Sequence, residues 1–211
     1  MRVLIACESS GTVREAYRAK GHDAWSCDLQ PADDGSQYHY EGDAIAVINT
    51  GGWDLIICHP PCTHLAVSGA AHFEAKRKDG RQQEGIDLFM AFVNACTDSG
   101  ASWAIENPIG IMSMRYRQPD QIIQTWMFGH TEQKATCLWL SKLPPLHPTN
   151  DVYDEMMKLP DNERQRIHYL PPGPDRWKIR SKTFDGIAQA MADQWVGDDY
   201  IEQPKDQLSI F

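Results

Sequence analysis

The chain is short of positive charge: 20 Lys and Arg stand against 29 Asp and Glu, a formal net charge of −9. That balance excludes a broad nucleic-acid-binding surface, so any grip on a phosphate backbone has to come from a local basic patch. Long apolar runs are missing too, and none approaches the ~20 residues of a membrane helix. The six cysteines (Cys7, Cys27, Cys58, Cys62, Cys96, Cys137) form no CxxC pair, and most sit in apolar stretches. Buried, reduced thiols in a cytoplasmic protein are the expectation, with no metal site. There is no GxGxxG, which disfavours a dinucleotide cofactor. Internal repeats and low-complexity tracts are absent. The opening MRVLIACESSG has one basic residue and runs straight into a Gly-Ser turn, so it reads as a first strand and not a signal peptide.

What is present is a globular composition, 42% hydrophobic and 23% charged over 211 residues. This predicts one domain, or one and a half, around a single core. Short apolar runs alternate with helical spacing through the first two-thirds, the signature of a mostly parallel α/β sheet, doubly wound. Residues 2–7 (RVLIAC) read as a strand and 12–20 (TVREAYRAK) as a helix closed by Gly21. Residues 22–27 (HDAWSC) read as a second strand ending at Asp28, and 44–49 as a short helix opened by Gly42 and Asp43. Residues 53–59 (WDLIICH) give the clearest strand. Between 60 and 85 no apolar period is visible, which predicts a long loop of the kind given to function. Helix over 86–98, strand over 102–106, helix over 121–128 and strand over 135–140 follow. Residues 143–173 are proline-rich and polar, 184–196 form a closing amphipathic helix, and 197–211 read as a tail. The expected division is 1–140 plus 177–196 as one domain, 141–176 as a short insert, and 197–211 as a flexible tail.

Ligands of a doubly wound sheet collect at the carboxyl ends of its strands. The polar residues there form one set: Glu8, Ser9, Ser10 and Gly11; Asp28; Asp43; His59, Pro60, Pro61 and Cys62; Glu106, Asn107 and Pro108. An acidic residue closing strand two suits the hydroxyls of a ribose, although a turn cap is its plainer role. Two prolines fix the backbone before Cys62, where a thiolate would be a nucleophile; the plainer reading is a small buried hydrophobe. Glu106 falls beside Cys62 if their strands are neighbours, and partial burial would then raise its carboxyl toward acid work. Otherwise it caps the segment after Pro108.

PPCTHLAVSG at 60–69 resembles the Pro-Cys-Gln-x-x-Ser motif of DNA (cytosine-5) methyltransferases, and AIENP at 104–108 resembles their Glu-Asn-Val motif. IACESSGTVREAY is similar to the family's first, cofactor-binding motif, with Glu8 and Ser10 where glycines are usual. GIDLFMAFVNACTDSGASWAIEN resembles the helix and strand that join two of its central motifs. FGHTEQKATCLWL resembles its YG-x-x-Q-x-R-x-R segment, with Glu132, Lys134 and Thr136 in place of the Gln and two arginines. KTFDGIAQAMADQW is similar to its final motif. The ordered set covers nearly all of residues 1–196, in the manner of a small, phage-like member with a reduced target-recognition region.

The resemblance implies a Rossmann-like S-adenosylmethionine-dependent methyltransferase fold. It implies a transferase acting on carbon 5 of cytosine in DNA, with the base flipped out of the duplex. Cys62, Glu106, Asn107 and Lys134 would be catalytic. S-adenosyl-L-methionine would be held by Glu8, Ser9, Ser10, Gly11, Thr12, Asp28, Asp43 and Pro60, with Arg180 and Lys182 near its sulfonium. Two cations beside a sulfonium repel it, so carboxy-S-adenosyl-L-methionine, giving carboxymethylcytosine, is the alternative; the plainer placement of both side chains is outward or toward phosphates. Ser68, Lys76, Arg77, Lys78 and Arg81 would contact DNA, their plainer role being a solvated loop. The rival functions are a non-catalytic DNA-binding decoy on the same fold and an enzyme acting on RNA or free nucleotides. At the chain end, Gln207, Leu208, Ser209, Ile210 and Phe211 resemble the peptides that hold the bacterial sliding clamp, the alternative being that they dock on the protein's own surface.

Overall fold

The computed structural model describes residues 1–196. Its strands are β1 (Arg2–Ala6), β2 (Asp23–Asp28), β3 (His39–Glu41), β4 (Leu55–Cys58), β5 (Ser102–Pro108), β6 (Gln121–Ile123) and β7 (Thr136–Ser141). They form one seven-stranded sheet in the order β3-β2-β1-β4-β5-β7-β6. The pairs β1–β2, β1–β4, β2–β3 and β4–β5 are parallel, and β7 runs antiparallel to both β5 and β6. Val3, Leu4, Ile5 and Ala6 of β1 and all of β4 are fully buried, as strands covered on both faces require. The chain winds outward in opposite directions from β1 and β4, so the crevice at their carboxyl ends is the switch point where such sheets bind ligands.

Alternate residues of each strand feed two cores. Val3, Ile5, Leu55, Ile57, Ala104 and Leu138 face α1 (Thr12–Ala19) and α10 (Asp185–Gln194). Leu4, Ala6, Ile56, Cys58, Ile105 and Trp139 face α2 (Ala44–Asn49) and α4 (Arg81–Asp98). Each Leu or Ile so buried contributes about 1.5–3 kcal/mol relative to exposure. Small residues Ala188, Ala190 and Ala192 bring α10 close to α1, and the Tyr17 hydroxyl donates to the Met191 carbonyl at 2.8 Å. Gly186 lets the start of α10 approach the segment at Phe128, because a Cβ there would lie 1.9 Å from the Phe128 carbonyl oxygen.

Two expectations are corrected, and one strand has no counterpart among them. Residues 60–85 are not a loop: a 3₁₀ turn (Val67–His72) and α3 (Phe73–Lys78) fill the stretch, and α4 starts at Arg81. The apolar period is weak there because most of these side chains are exposed, while Lys76 is buried and bonds the Thr63 carbonyl. Residues 121–128 are not one helix: Gln121–Ile123 is a strand and only Thr125–Met127 form a 3₁₀ turn. Ile122 and Ile123 favour an extended backbone, β7 offers an edge to pair with, and the Gln121 side chain bonds both the N–H and C=O of Leu146 at 2.7 Å. Strand β3 is the one without a counterpart, too short at His39–Glu41 to show a period.

After α5 (Met112–Arg115) and β7, the insert carries α6 (Tyr153–Met157), α7 (Asp161–Arg164) and α8 (Arg166–Tyr169). Helix α9 (Arg176–Ser181) then leads into α10. Among the described residues no helix is long and apolar enough to cross a membrane, and no group of His, Cys, Asp and Glu is placed to hold a metal ion. The 207–211 segment read as a clamp peptide lies outside the described residues.

Candidate functional site

The site is built from strand ends, beginning at β1. Cys7 adopts a left-handed conformation (φ 61°), which turns the chain abruptly out of the strand. Glu8 is thereby folded beneath α1, where its two carboxylate oxygens accept the N–H groups of Val13 (2.7 Å) and Arg14 (3.2 Å). Gly11, also left-handed, offers no side-chain cap to α1, and Glu8 supplies it from outside. Ser10 Oγ donates to Glu8 Oε1 at 3.4 Å and lies 3.2 Å from the Thr12 hydroxyl. Burial pushes the Glu8 carboxyl above its ordinary value, opposed by His59, by the two backbone N–H groups and by Arg14. The helix terminus that binds phosphate in nucleotide-binding sheets is therefore taken by the protein's own carboxylate.

At the end of β2, Asp28 accepts the Gln30 N–H at 2.9 Å, and Asp43 caps α2 by accepting the Ile45 N–H at 2.9 Å. Both capping roles are thus real, yet the other oxygen of each carboxylate has no hydrogen-bond partner among the described residues. The two carboxylates surround the thiols of Cys7 and Cys27. Burial first, then Asp28, raises both thiols, Cys27 to about 11. Below them, fully buried Arg14 bonds Asp34 and the Ser26 hydroxyl (2.8 Å), and Ser26 contacts His39 Nδ1 at 2.8 Å. This network fixes the segment joining β2 to β3, and Asp33 donates its N–H to the Ser9 carbonyl at 2.9 Å.

The ends of β4 and β5 are stapled together. Cys58 lies opposite Ile105 in the parallel register, so His59 and Glu106 emerge as the next pair. Asn107 is buried and donates to the Pro60 carbonyl at 2.7 Å. Beyond it, Val67 N–H bonds the Ile109 carbonyl and Ile111 N–H bonds the Leu65 carbonyl, both at 3.0 Å. Gly110 permits this approach, since a Cβ would sit 2.5 Å from the Leu65 oxygen. Cys62 is held half-buried between these staples, its carbonyl accepting from Leu65 and Ala66.

Three charged groups act on Cys62. Burial and the Glu106 carboxylate push its thiol up, while Lys134 and Arg180 draw it down. Glu106 corrects the expectation of a raised, acid-ready carboxyl. Burial does push it up, but the His59 hydrogen bond, Lys134, the His59 charge and the Thr136 hydroxyl together hold it below the ordinary value. His59 Nδ1 lies 3.3 Å from Glu106 Oε2, and their side chains are 9% and 16% exposed.

Helix α9 lies over this end of the sheet. Lys178 pairs with Asp33 at 2.7 Å, Arg180 reaches the vicinity of Cys62, and the Lys182 carbonyl accepts from Lys134 Nζ at 3.4 Å. The Lys182 side chain is exposed. The basic residues assigned to DNA divide similarly. Ser68, Arg77, Lys78 and Arg81 are exposed, with Lys78 paired to Glu74 and Arg81 to Asp79, whereas Lys76 faces inward. His59 is the residue that sequence reasoning left without a role, because its signal is cross-strand register and not composition.

The donor set fits a cationic, phosphate-free nucleoside cofactor. Asp28 and Asp43 offer acceptors to hydroxyl or amino groups, and at the α1 terminus the Val13 and Arg14 N–H groups are already taken by the Glu8 carboxylate. No protein-family model matches the chain, and no curated protein matches it.

Proposed function

We propose that the chain is an S-adenosyl-L-methionine-dependent transferase of the DNA (cytosine-5) methyltransferase kind, on a Rossmann-like methyltransferase fold, working through a covalent Cys62 adduct. One observation carries the reading: Cys62, in the turn after β4, lies within electrostatic range of Glu106 on the neighbouring strand β5, at the same end of the sheet as Glu8 and Asp28. Carbon 5 of cytosine is a poor nucleophile, and thiolate addition at carbon 6 makes it one. Cys62 supplies that thiolate, Glu106 faces the ring nitrogen, and Asn107 fixes the Pro60–Cys62 turn so that sulfur and carboxylate keep their spacing. Burial and Glu106 hold the thiol above its ordinary value, and Lys134 and Arg180 oppose that rise without cancelling it. Asp28 and Asp43 are the residues to hold the cofactor's ribose and adenine, and Glu8 keeps the turn between them in shape. The cofactor supplies, when bound, an electrophilic carbon on a sulfonium.

A carboxylated cofactor is the second reading. Lys134 and Arg180 both lie within electrostatic reach of the reacting sulfur, a setting that suits a carboxylate on the transferred carbon. The partner is DNA with a flipped cytosine, approached by the α3–α4 face and α9, and the setting is the cytoplasm.

Nucleoside mass spectrometry on DNA and RNA from cells expressing the protein tests the reading. 5-Methylcytosine in DNA, absent with Cys62→Ala, is the expected result. Carboxymethylcytosine would select the carboxylated cofactor, modified RNA alone would move the substrate, and unmodified nucleic acid would overturn the proposal.

A further inference from the structure

His59 is a largely buried titratable side chain at the end of β4 that the proposed chemistry leaves unused. Its backbone N–H bonds the Ala6 carbonyl at 2.9 Å, which anchors it across the β1–β4 switch point. Its ring leaves β4 beside Glu106, with Nδ1 at 3.3 Å from Oε2. An ionised carboxylate can only accept, so Nδ1 carries the hydrogen of this bond. The other ring nitrogen, Nε2, is buried without a partner among the described residues, so no second bond competes for the tautomer. Thr136 and Lys134 approach Glu106 from β7 and the segment before it, Cys62 from the turn after β4, and Glu8 flanks His59 from the β1 side.

We infer that His59 is a positioning residue for Glu106: its Nδ1–H holds the carboxylate as a proton acceptor, which takes the thiol proton of Cys62 and passes it to the ring nitrogen of the bound base. The inference rests on the reading proposed above and alters its proton accounting. A carboxyl already protonated would deliver its own proton and leave the thiol proton to solvent. Here the step closes internally. The sulfur–carbon 6 bond forms as the ring's double-bond pair shifts, the S–H proton moves to Glu106, and the same proton leaves Glu106 for the ring nitrogen. The net change is one S–H bond exchanged for one N–H bond, with Glu106 and His59 restored.

The test needs no substrate. Glutamate carboxyl carbons are labelled with ¹³C, the Glu106 signal is assigned by its loss in Glu106→Gln, and its titration is followed by NMR. In the unaltered protein the midpoint is expected below that of a free glutamate. His59→Leu should raise it by about one pH unit, the usual size of a lost close charge or hydrogen bond. His59→Asn, which keeps a donor near the Nδ1 position, should stay close to the unaltered protein. His59→Gln, whose amide reaches toward Nε2 instead, should follow the leucine variant and serves where leucine prevents folding. Equal midpoints in all variants would overturn the inference even if the protein modifies DNA. The expected midpoints in a protein that leaves DNA untouched would overturn the proposed function and spare the pairing. With active protein, the acid limb of the rate profile should move upward in His59→Leu and His59→Gln but not in His59→Asn; an unmoved limb contradicts the relay.

Discussion

The two halves of the strand-end crevice use their polar groups differently. At β1 and β2 the acidic side chains carry the structure: Glu8 caps α1, Asp43 caps α2, and Asp28 closes the turn at Gln30. At β4 and β5 the backbone is secured by other means, through Asn107 and the contacts around Gly110, so that Cys62 and Glu106 bear little of the fold. Substitutions on the first side should therefore lower stability together with cofactor binding, whereas those at Cys62 and Glu106 should lower rate far more than stability. Proteins gain chemical freedom at a side chain by assigning its structural work to a neighbour.

Three substitutions and one pH dependence can break or sharpen that contrast. The largest effect belongs to Glu106→Gln, expected to slow base modification by ~10²-fold or more, with the denaturation midpoint at neutral pH lowered only by the modest stability that the ionised carboxylate adds. A large stability loss would show that Glu106 holds the fold as well. Next, Asn107→Ala leaves the Pro60 carbonyl without its buried donor and should destabilise by about 1–3 kcal/mol in urea titrations. Its rate loss should exceed its loss of cofactor affinity, because what moves is the turn carrying Cys62. Glu8→Ala uncovers two N–H groups of α1 and should cost about 0.5–2 kcal/mol, together with weaker cofactor binding by calorimetry. Unchanged stability would refute the capping role. The smallest effect is the pH dependence. Glu106 titrates below its ordinary value, so its stabilisation is complete above that value and disappears as pH falls through the lowered one. The melting-temperature gap between the parent and Glu106→Gln should accordingly narrow on acidification, and a gap that widens would contradict the pairing with His59.

Much of the fold was legible in the residues. Buried parallel strands are apolar over their whole length, so RVLIA and LIIC identified themselves, and Gly21 and Asp43 marked helix ends. The stretch from 60 to 85 was not legible, because α3 rests on a buried lysine bond to a carbonyl that no periodicity expresses. Residues 121–123 misled because isoleucine serves helix and strand alike, and the edge of β7 decided between them. At the site, Pro-Pro-Cys and Glu-Asn-Pro could be found by type and order. Two features could not. The lowered Glu106 carboxyl depends on a histidine distant in sequence, and the capping of α1 by Glu8 depends on the left-handed turn at Cys7.

The central claim is that Cys62 adds covalently to a pyrimidine. It is tested most directly by mixing the protein and S-adenosyl-L-methionine with DNA carrying 5-fluorocytosine throughout, then measuring intact and peptide masses. Fluorine at carbon 5 cannot leave as a proton does, so an adduct should accumulate on the peptide containing Cys62 and be absent in Cys62→Ala. An adduct on another cysteine, or none in the parent under conditions where it modifies ordinary DNA, would contradict the account.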